Sequence, residues 1–379
     1  MKTIPPGATI GVMGGGQLGR MFALAARHMG YRIHIFTPDH DSPASQVSDY
    51  VTEADFRDEK AVRNFARTLN LLTFEFENIP NETIQWCARE CEVRPAGSIL
   101  ETAQNRLREK TFLAENGFPL ASFRPVRTQA ELVSAVEEIG RSSILKTASW
   151  GYDGKGQQSI SSRDLKEVWK ARSADELILE RTIDFEKEIS VIVARSPLGN
   201  IRAFPVAENI HRDHILDITM VPAIVSGKVA RDALKITSEI AEKLGVVGLI
   251  AVEMFLDKNG EVLVNELAPR PHNSGHWSIE GCATSQFEQH VRAVCGLPLG
   301  SVELFRPTAM ANLLGELWRT GEPRWDAALA LPNVHLHLYG KHEARPRRKM
   351  GHLTATADSA EKAATVVRTA REKLCSPKS

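Results

Sequence analysis

Two carboxylates on neighbouring apolar runs dominate the chemistry open to this sequence. The stretch Val252–Trp277 reads VEMFLDKNGEVLVNELAPRPHNSGHW. Apolar runs at Leu249–Leu256 and Val262–Leu267 flank Asp257-Lys258-Asn259-Gly260, and Asn-Gly suits the positive φ values of a tight hairpin turn. Glu253 lies in the first run and Glu266 near the end of the second. Burying an unpaired carboxylate is costly, so two on adjacent strands imply a shared cation. Magnesium suits them, because it takes oxygen ligands, one or two from carboxylates, and leaves room for substrate phosphates. Arg270, His272, Asn273, Ser274 and His276 follow at once, on a segment that also holds Pro269, Pro271 and Gly275. Such a segment surrounds a ligand with polar groups. The competing reading is a solvated hairpin whose acids face water.

Two glycine-rich loops offer places for anions. Thr9–Met13 reads as a short strand, followed by Gly14-Gly15-Gly16-Gln17-Leu18-Gly19, a helix from about Leu18 to Met29, and a strand over Tyr31–Phe36. Gly14, Gly16 and Gly19 match GxGxxG, in which free N–H groups at a helix N-terminus receive a phosphate. Asp39 falls near the place of a ribose-binding acid, which alone is a weak nicotinamide signal. Gln17 and Leu18 open the helix, where they could instead read a small phosphorylated substrate. Glu75 and Glu77 end the strand Leu71–Phe76, at the ligand edge of an open parallel sheet. A phosphosugar is the better reading there. The second loop, Trp150–Gln157, follows Lys146 at the end of the strand Ser143–Lys146. Gly151, Gly154 and Gly156 make it pliable, and Lys155 can meet phosphate charge. It is not a Walker A loop, since no GK[ST] follows.

The remaining chain supplies supports. With 379 residues, two or three domains are expected. Lys and Arg total 47 against 47 Asp and Glu, so no overall field favours nucleic acid or an anionic membrane. Five cysteines without a CxxC pair point to a reducing compartment. No apolar run nears the roughly 20 residues of a membrane span, and a cytoplasmic protein is expected. Helices are expected at Arg106–Asn116, Ala130–Ile139, Arg231–Leu244, Gln286–Val294 and Ala360–Lys373, and strands at Glu176–Arg181, Glu188–Ala194, Ile201–Val206 and Val334–Tyr339. From about Val302 the chain reads as a small appended domain. Its basic run, Lys341 to Lys349, suits a local phosphate clamp better than nucleic acid.

Taken in order, the first glycine loop, Lys146 with Trp150–Gln157, and Asn265–Trp277 resemble the ATP-grasp superfamily. Within it the chain resembles the N5-carboxyaminoimidazole ribonucleotide synthetases over nearly its whole length. The resemblance implies a mixed α/β and α+β ATP-grasp fold. Residues 1–105 would form a Rossmann-like substrate domain, 106–182 a lid, 183–300 a metal-bearing sheet domain and 301–379 an extension with the phosphate clamp. It also implies ATP- and bicarbonate-dependent carboxylation of aminoimidazole ribonucleotide through carboxyphosphate in purine biosynthesis, with ATP and magnesium as cofactors.

On that resemblance ATP would meet Arg106, Lys146, Gly151, Tyr152, Asp153, Gly154, Lys155, Gly156, Gln157, Glu180, Arg181, Thr182, Ile183, Glu188, His211, Asn265 and Glu266. Glu253 and Glu266 would carry magnesium. Aminoimidazole ribonucleotide would meet Gln17, Leu18, Glu75, Tyr152 and Asp153, with its phosphate on Lys341 and Arg348. Asp153, Arg270, His272 and Asn273 are the catalytic candidates, and Asp153 or His272 would accept the amine's proton. Two positions depart from the pattern: Ala268 replaces an expected metal-binding Asn, and Arg347 stands where the family often has glycine. A homodimer and transfer of product to a mutase are further implications. The alternative is a formate-dependent glycinamide ribonucleotide transformylase or another carboxylate–amine ligase. It should differ at the second glycine loop and after Pro269-Arg270-Pro271-His272. A nicotinamide oxidoreductase leaves the hairpin acids without work.

Overall fold

A computed structural model of the chain describes residues 3–149, 156–161, 163–171 and 176–375. The amino-terminal unit is a parallel sheet in the order Tyr50–Glu53, Arg32–Thr37, Thr9–Met13, Leu71–Phe74. Parallel strands are covered on both faces and therefore read as near-continuous apolar runs. Accordingly Ile10, Val12, Met13, Ile33, Ile35, Phe36, Leu71, Leu72 and Phe74 are all buried. Helix Gln17–His28 begins directly after the glycine loop and lays Leu18, Met21, Phe22 and Ala26 inward at helical spacing.

A second, antiparallel sheet runs in the order Phe123–Val126, Leu177–Arg181, Ser143–Thr147, Gln157–Ser159. Helix Gln129–Ile139 covers it, started by a capping box in which Thr128 and Glu131 satisfy each other's backbone N–H groups. Leu132, Ala135 and Val136 from that helix pack with Leu145, Leu177 and Leu179.

The third sheet has nine strands. Its order is Val262–Ala268, Gly248–Asp257, Phe185–Arg195, Ala207–Arg212, Ile215–Val221, Thr308–Leu314, Lys349–Thr356, Val334–Leu338, with Ile201–Ala203 paired to Phe185–Arg195. The strands after residue 301 thus continue the same sheet, so the expected appended domain has no separate sheet of its own. Helix Ala360–Leu374 closes that end through Ala363, Ala364, Val367 and Leu374. Helix Gly227–Lys243, capped by Ser226 on the Val229 N–H, covers the other end. Helix Gln286–Cys295 ties the large sheet to the first: His290 receives the Leu249 N–H on Nδ1 at 3.2 Å and meets Thr73 Oγ1 through Nε2 at 3.0 Å. The hairpin turn differs from the two-positive-φ form. Only Gly260 of the turn is left-handed, at φ +82°, and its N–H closes on the Asp257 carbonyl at 3.1 Å. Among the described residues no helix is long and apolar enough to cross a membrane.

Candidate active site

The hairpin register sets Glu253 directly against Glu266. The pairing then slips, so that Met254 faces Val264 and Asn265 is left as the extra residue of a β-bulge. The bulge breaks strict alternation, and Asn265 and Glu266 are both half-buried in succession. Burial, and next the charge of Glu266, push the Glu253 carboxyl up to about 7. His272 Nε2 lies 3.3 Å from Glu253, and Arg106 lies 3.4 Å from Glu266. Two facing acids with this little compensation fit a divalent cation. Among the described residues no group of three or more His, Cys, Asp or Glu is arranged to hold a metal. Two carboxylates are nevertheless a sufficient protein donor set for magnesium that shares its shell with phosphates and water. Ala268 is a buried strand residue opposite Ala251, so no third ligand comes from that place.

Helix Arg106–Glu115 supplies two supports that sequence reading missed. Glu109 accepts the Leu267 N–H at 2.9 Å, and Lys110 Nζ donates to the Asn265 carbonyl at 2.6 Å and the Val264 carbonyl at 3.4 Å. Both side chains are 2 % exposed, and together they hold the backbone on either side of the bulge. Burial pushes the Glu109 carboxyl up to about 8. In the sequence they look like ordinary helix charges; only the odd placement of a Glu-Lys pair on the apolar face could have signalled them.

The expected nucleotide contacts form a row beside the acids. Lys146 and Glu180 face each other across adjacent strands, 2.9 Å apart and largely buried. Burial works against the Glu180 charge, but Lys110 and Lys146 outweigh it and lower its pKa. Its second oxygen has no partner among the described residues. Arg181, Thr182 and Ile183 lead out of the sheet and are exposed or half-buried. Glu188 pairs with His211, and that carboxylate raises the ring's pKa against the effect of burial. Gly156 has φ +74°, and a Cβ there would meet Thr147 Oγ1 at 2.7 Å, so glycine is required where the loop rejoins the strand at Gln157. Gly151, Tyr152, Asp153, Gly154 and Lys155 lie outside the described residues.

The segment after the hairpin packs against the amino-terminal unit. Arg270 pairs with Glu77 at 2.9 Å. His272 is held by Gln286, which accepts from its N–H at 2.9 Å and donates to its carbonyl at 2.7 Å. Burial first, then Arg270 and Lys349, push the His272 pKa well down. Asn273 does not face the acids as a free group. Its amide donates to Asn312 at 3.1 Å and accepts from it at 2.8 Å, so both polar atoms are committed to a buried side-chain pair. The pair ties the segment after the hairpin to the strand Thr308–Leu314.

The first glycine loop also departs from expectation. Its N–H groups already hold a side chain: Gly16 and Gly19 donate to the two oxygens of Glu75 at 2.6 and 3.0 Å, opposing the burial that raises its pKa. A Cβ at Gly16 would meet Glu75 Oε1 at 2.5 Å. The helix N-terminus is therefore filled by an internal carboxylate, and a substrate phosphate has to be held elsewhere. The carboxyl-terminal segment comes to this loop. Gln46 donates to the Gly340 carbonyl at 2.9 Å, and His342 meets Asp41 at 2.7 Å. Lys341 donates to the Lys349 carbonyl at 2.7 Å, and burial, then the charge of Arg348, brings its ammonium down to about 8 while Glu75 opposes the shift. Gln17 and Leu18 begin the adjoining helix. Lys349, seen in the sequence only as part of a basic run, also acts electrostatically on Glu253 and His211. Arg347, at the family's glycine position, is left-handed at φ +67°; its N–H reaches Glu316 at 2.8 Å and its guanidinium the Asp213 carbonyl at 2.8 Å.

The Lys146–Glu180 and Glu188–His211 pairs, the facing acids and a cationic cluster at Lys341 and Arg348 thus lie on neighbouring segments. Comparisons with known proteins show the family. Residues 7–104 match the ribonucleotide synthetase preATP-grasp domain, 111–287 the ATP-grasp domain and 308–365 the phosphoribosylaminoimidazole carboxylase C-terminal domain. The chain is 45 % identical over 374 residues to a bifunctional purine synthesis protein of Dictyostelium discoideum, covering 93 % of this chain but spanning only 37 % of that longer protein. It is 44 % identical over 354 residues to the N5-carboxyaminoimidazole ribonucleotide synthase of Bacillus subtilis (strain 168), covering 93 % of this chain and 92 % of that one. A solved structure of the Aspergillus clavatus N5-carboxyaminoimidazole synthase, in complex with ADP and 5-aminoimidazole ribonucleotide, superposes with a TM-score of 0.88 at 32 % identity, over 97 % of this chain and 98 % of that one. On these grounds the chain belongs to the N5-carboxyaminoimidazole ribonucleotide synthase family of ATP-grasp ligases.

Proposed function

We propose that this protein uses ATP and bicarbonate to carboxylate the exocyclic amine of aminoimidazole ribonucleotide. The observation that carries the proposal is adjacency: the Glu75–Lys341–Arg348 pocket and the Glu253–Glu266 pair are joined by the segment Arg270–His276. Bicarbonate is a poor electrophile at neutral pH because its charge repels a nucleophile. Phosphorylation by ATP gives carboxyphosphate, whose phosphate leaves readily. That transfer spreads charge over oxygens, so positioning and cations matter more than covalent catalysis. Lys146, Arg106 and Arg270 supply fixed positive charge around the transfer. Magnesium held by Glu253 and Glu266 would neutralise charge on the phosphate oxygens. Lys341 and Arg348 hold the 5′-phosphate of the amine substrate, which then attacks the activated carbon and forms a carbamate. Tyr152 and Asp153, which lie outside the described residues, are assigned to the aminoimidazole ring, and exclusion of water from carboxyphosphate is required for turnover.

Coupled measurement of ADP release tests the reading. Release should require aminoimidazole ribonucleotide and bicarbonate together, and labelled bicarbonate carbon should enter the product. Stimulation by formate with glycinamide ribonucleotide, and none by bicarbonate, would replace it. Within the same reading the protein is cytoplasmic, in keeping with five free cysteines. It works as a homodimer and passes its product to a mutase; a dimer is checked by sedimentation.

A further inference from the structure

We propose that a buried chain of hydroxyl and amide groups, running from Thr219 through Asn209 and Ser190 to Ser274, locks His272 with its proton on Nε2 and presents it to the reacting centre as a donor. Asn209 and Ser190 are positioning residues on this account, which rests on the ligase reading above. The argument starts at the imidazole. Its Nδ1 receives the backbone N–H of Ser274 at 3.3 Å. A backbone N–H can only donate, so Nδ1 must be the nitrogen with the lone pair. The ring proton then sits on Nε2, which faces Glu253 at 3.3 Å.

The side chains behind it have one consistent direction. Ser274 Oγ lies 2.8 Å from the same Nδ1. It receives the hydroxyl of Ser190 at 2.9 Å, which leaves its own hydrogen for His272. Ser190 Oγ in turn receives the Asn209 amide at 2.9 Å, and the Asn209 oxygen accepts from Thr219 at 3.0 Å. Thr219, Asn209, Ser190 and Ser274 are 0, 5, 1 and 1 % exposed, so bulk water does not compete for these bonds. Their positions follow from register: Ser190 pairs with Glu253, and Asn209 pairs with Thr219 on the next strand. Apolar side chains would fill the same sheet face at lower desolvation cost. A row of polar groups there is explained by what it orients.

The consequence reverses one expectation. His272 does not accept the amine's proton, because Nε2, the nitrogen turned toward Glu253, already carries one. It donates Nε2–H to an oxygen of the carboxyl group being activated, and the amine's proton goes to another acceptor, such as the departing phosphate.

Two measurements test this. Nitrogen NMR of 15N-histidine enzyme, with His272 assigned by its loss in His272→Gln, should show an unprotonated Nδ1 and a protonated Nε2. A proton on Nδ1 overturns the lock. In the series Ser190→Ala, Asn209→Leu and Thr219→Val, kcat should fall most for Ser190→Ala, by about tenfold or more, and least for Thr219→Val. ADP affinity and the KM for aminoimidazole ribonucleotide should stay within about twofold, as expected when only the transition state is affected. Losses that follow melting temperature, or kcat unchanged in all three variants, overturn the positioning role. Failure of the ligase reading shows separately, as wild-type enzyme that does not turn over with bicarbonate, while the tautomer signal remains readable.

Discussion

Two sets of acids in this molecule, one buried and one half-buried, have different surroundings. Glu75 is 8 % exposed and burial raises its pKa, but two backbone N–H groups and the nearby charges of Arg270 and Lys341 oppose that shift. Glu253 and Glu266 face each other across a hairpin, and His272 at 3.3 Å, Arg106 at 3.4 Å and the charges of His211 and Lys349 still leave the Glu253 carboxyl pushed up to about 7. The first carboxylate has both oxygens bonded within its own loop. The second pair asks for a cation. The degree to which a buried charge is already answered separates an acid that builds the fold from acids kept for a ligand.

The largest way to break that contrast is to neutralise the pair. Glu253→Gln or Glu266→Gln should lower ADP release by about a hundredfold or more, since a metal ligand and its charge are lost. Turnover within about tenfold of wild type would remove the metal assignment. Without metal, Glu253→Gln should also melt higher than wild type at pH 8. The sign follows from linkage: the folded carboxyl titrates near 7, above its ordinary 4.5, so its contribution to stability falls as pH rises through that window.

Glu75→Ala should do the reverse. It leaves the Gly16 and Gly19 N–H groups without an acceptor and should cost about 2–4 kcal/mol in urea unfolding. A variant as stable as wild type would refute the structural role. Lys110→Met strips the Asn265 carbonyl of its buried donor. It should lose about 1–3 kcal/mol and weaken magnesium-dependent ADP binding while sparing the phosphate substrate.

The phosphate pocket sharpens the comparison by pH. Lys341 titrates near 8, so the KM for aminoimidazole ribonucleotide should rise as pH passes above 8. In Lys341→Arg that rise should vanish; its persistence would point to another group. The smallest expected effect is at Arg347. Glycine takes φ +67° without the Cβ penalty that arginine and alanine both meet, so Arg347→Gly should be more stable than Arg347→Ala by about 1 kcal/mol.

Local patterning carried much of this site. Alternation and the Asn-Gly signal located the hairpin and both acids, and the glycine loop announced the first strand–helix unit. What stayed hidden depends on partners distant in sequence. Nothing near Gly14–Gly19 says that Glu75 will fill the loop, and nothing in NRLREK says that Glu109 and Lys110 reach a bulge at Asn265. The bulge itself is one residue of slippage between strands. The continuation of the large sheet beyond residue 301 was equally illegible, because Ile215–Val221 pairs with Thr308–Leu314 across a long intervening stretch.

The seating of the Gly340–Lys341 turn on the amino-terminal loop has a consequence for biosynthesis. Gln46 lies near one end of the sequence and the Gly340 carbonyl it bonds near the other, so this contact forms only after residue 340 has been synthesised.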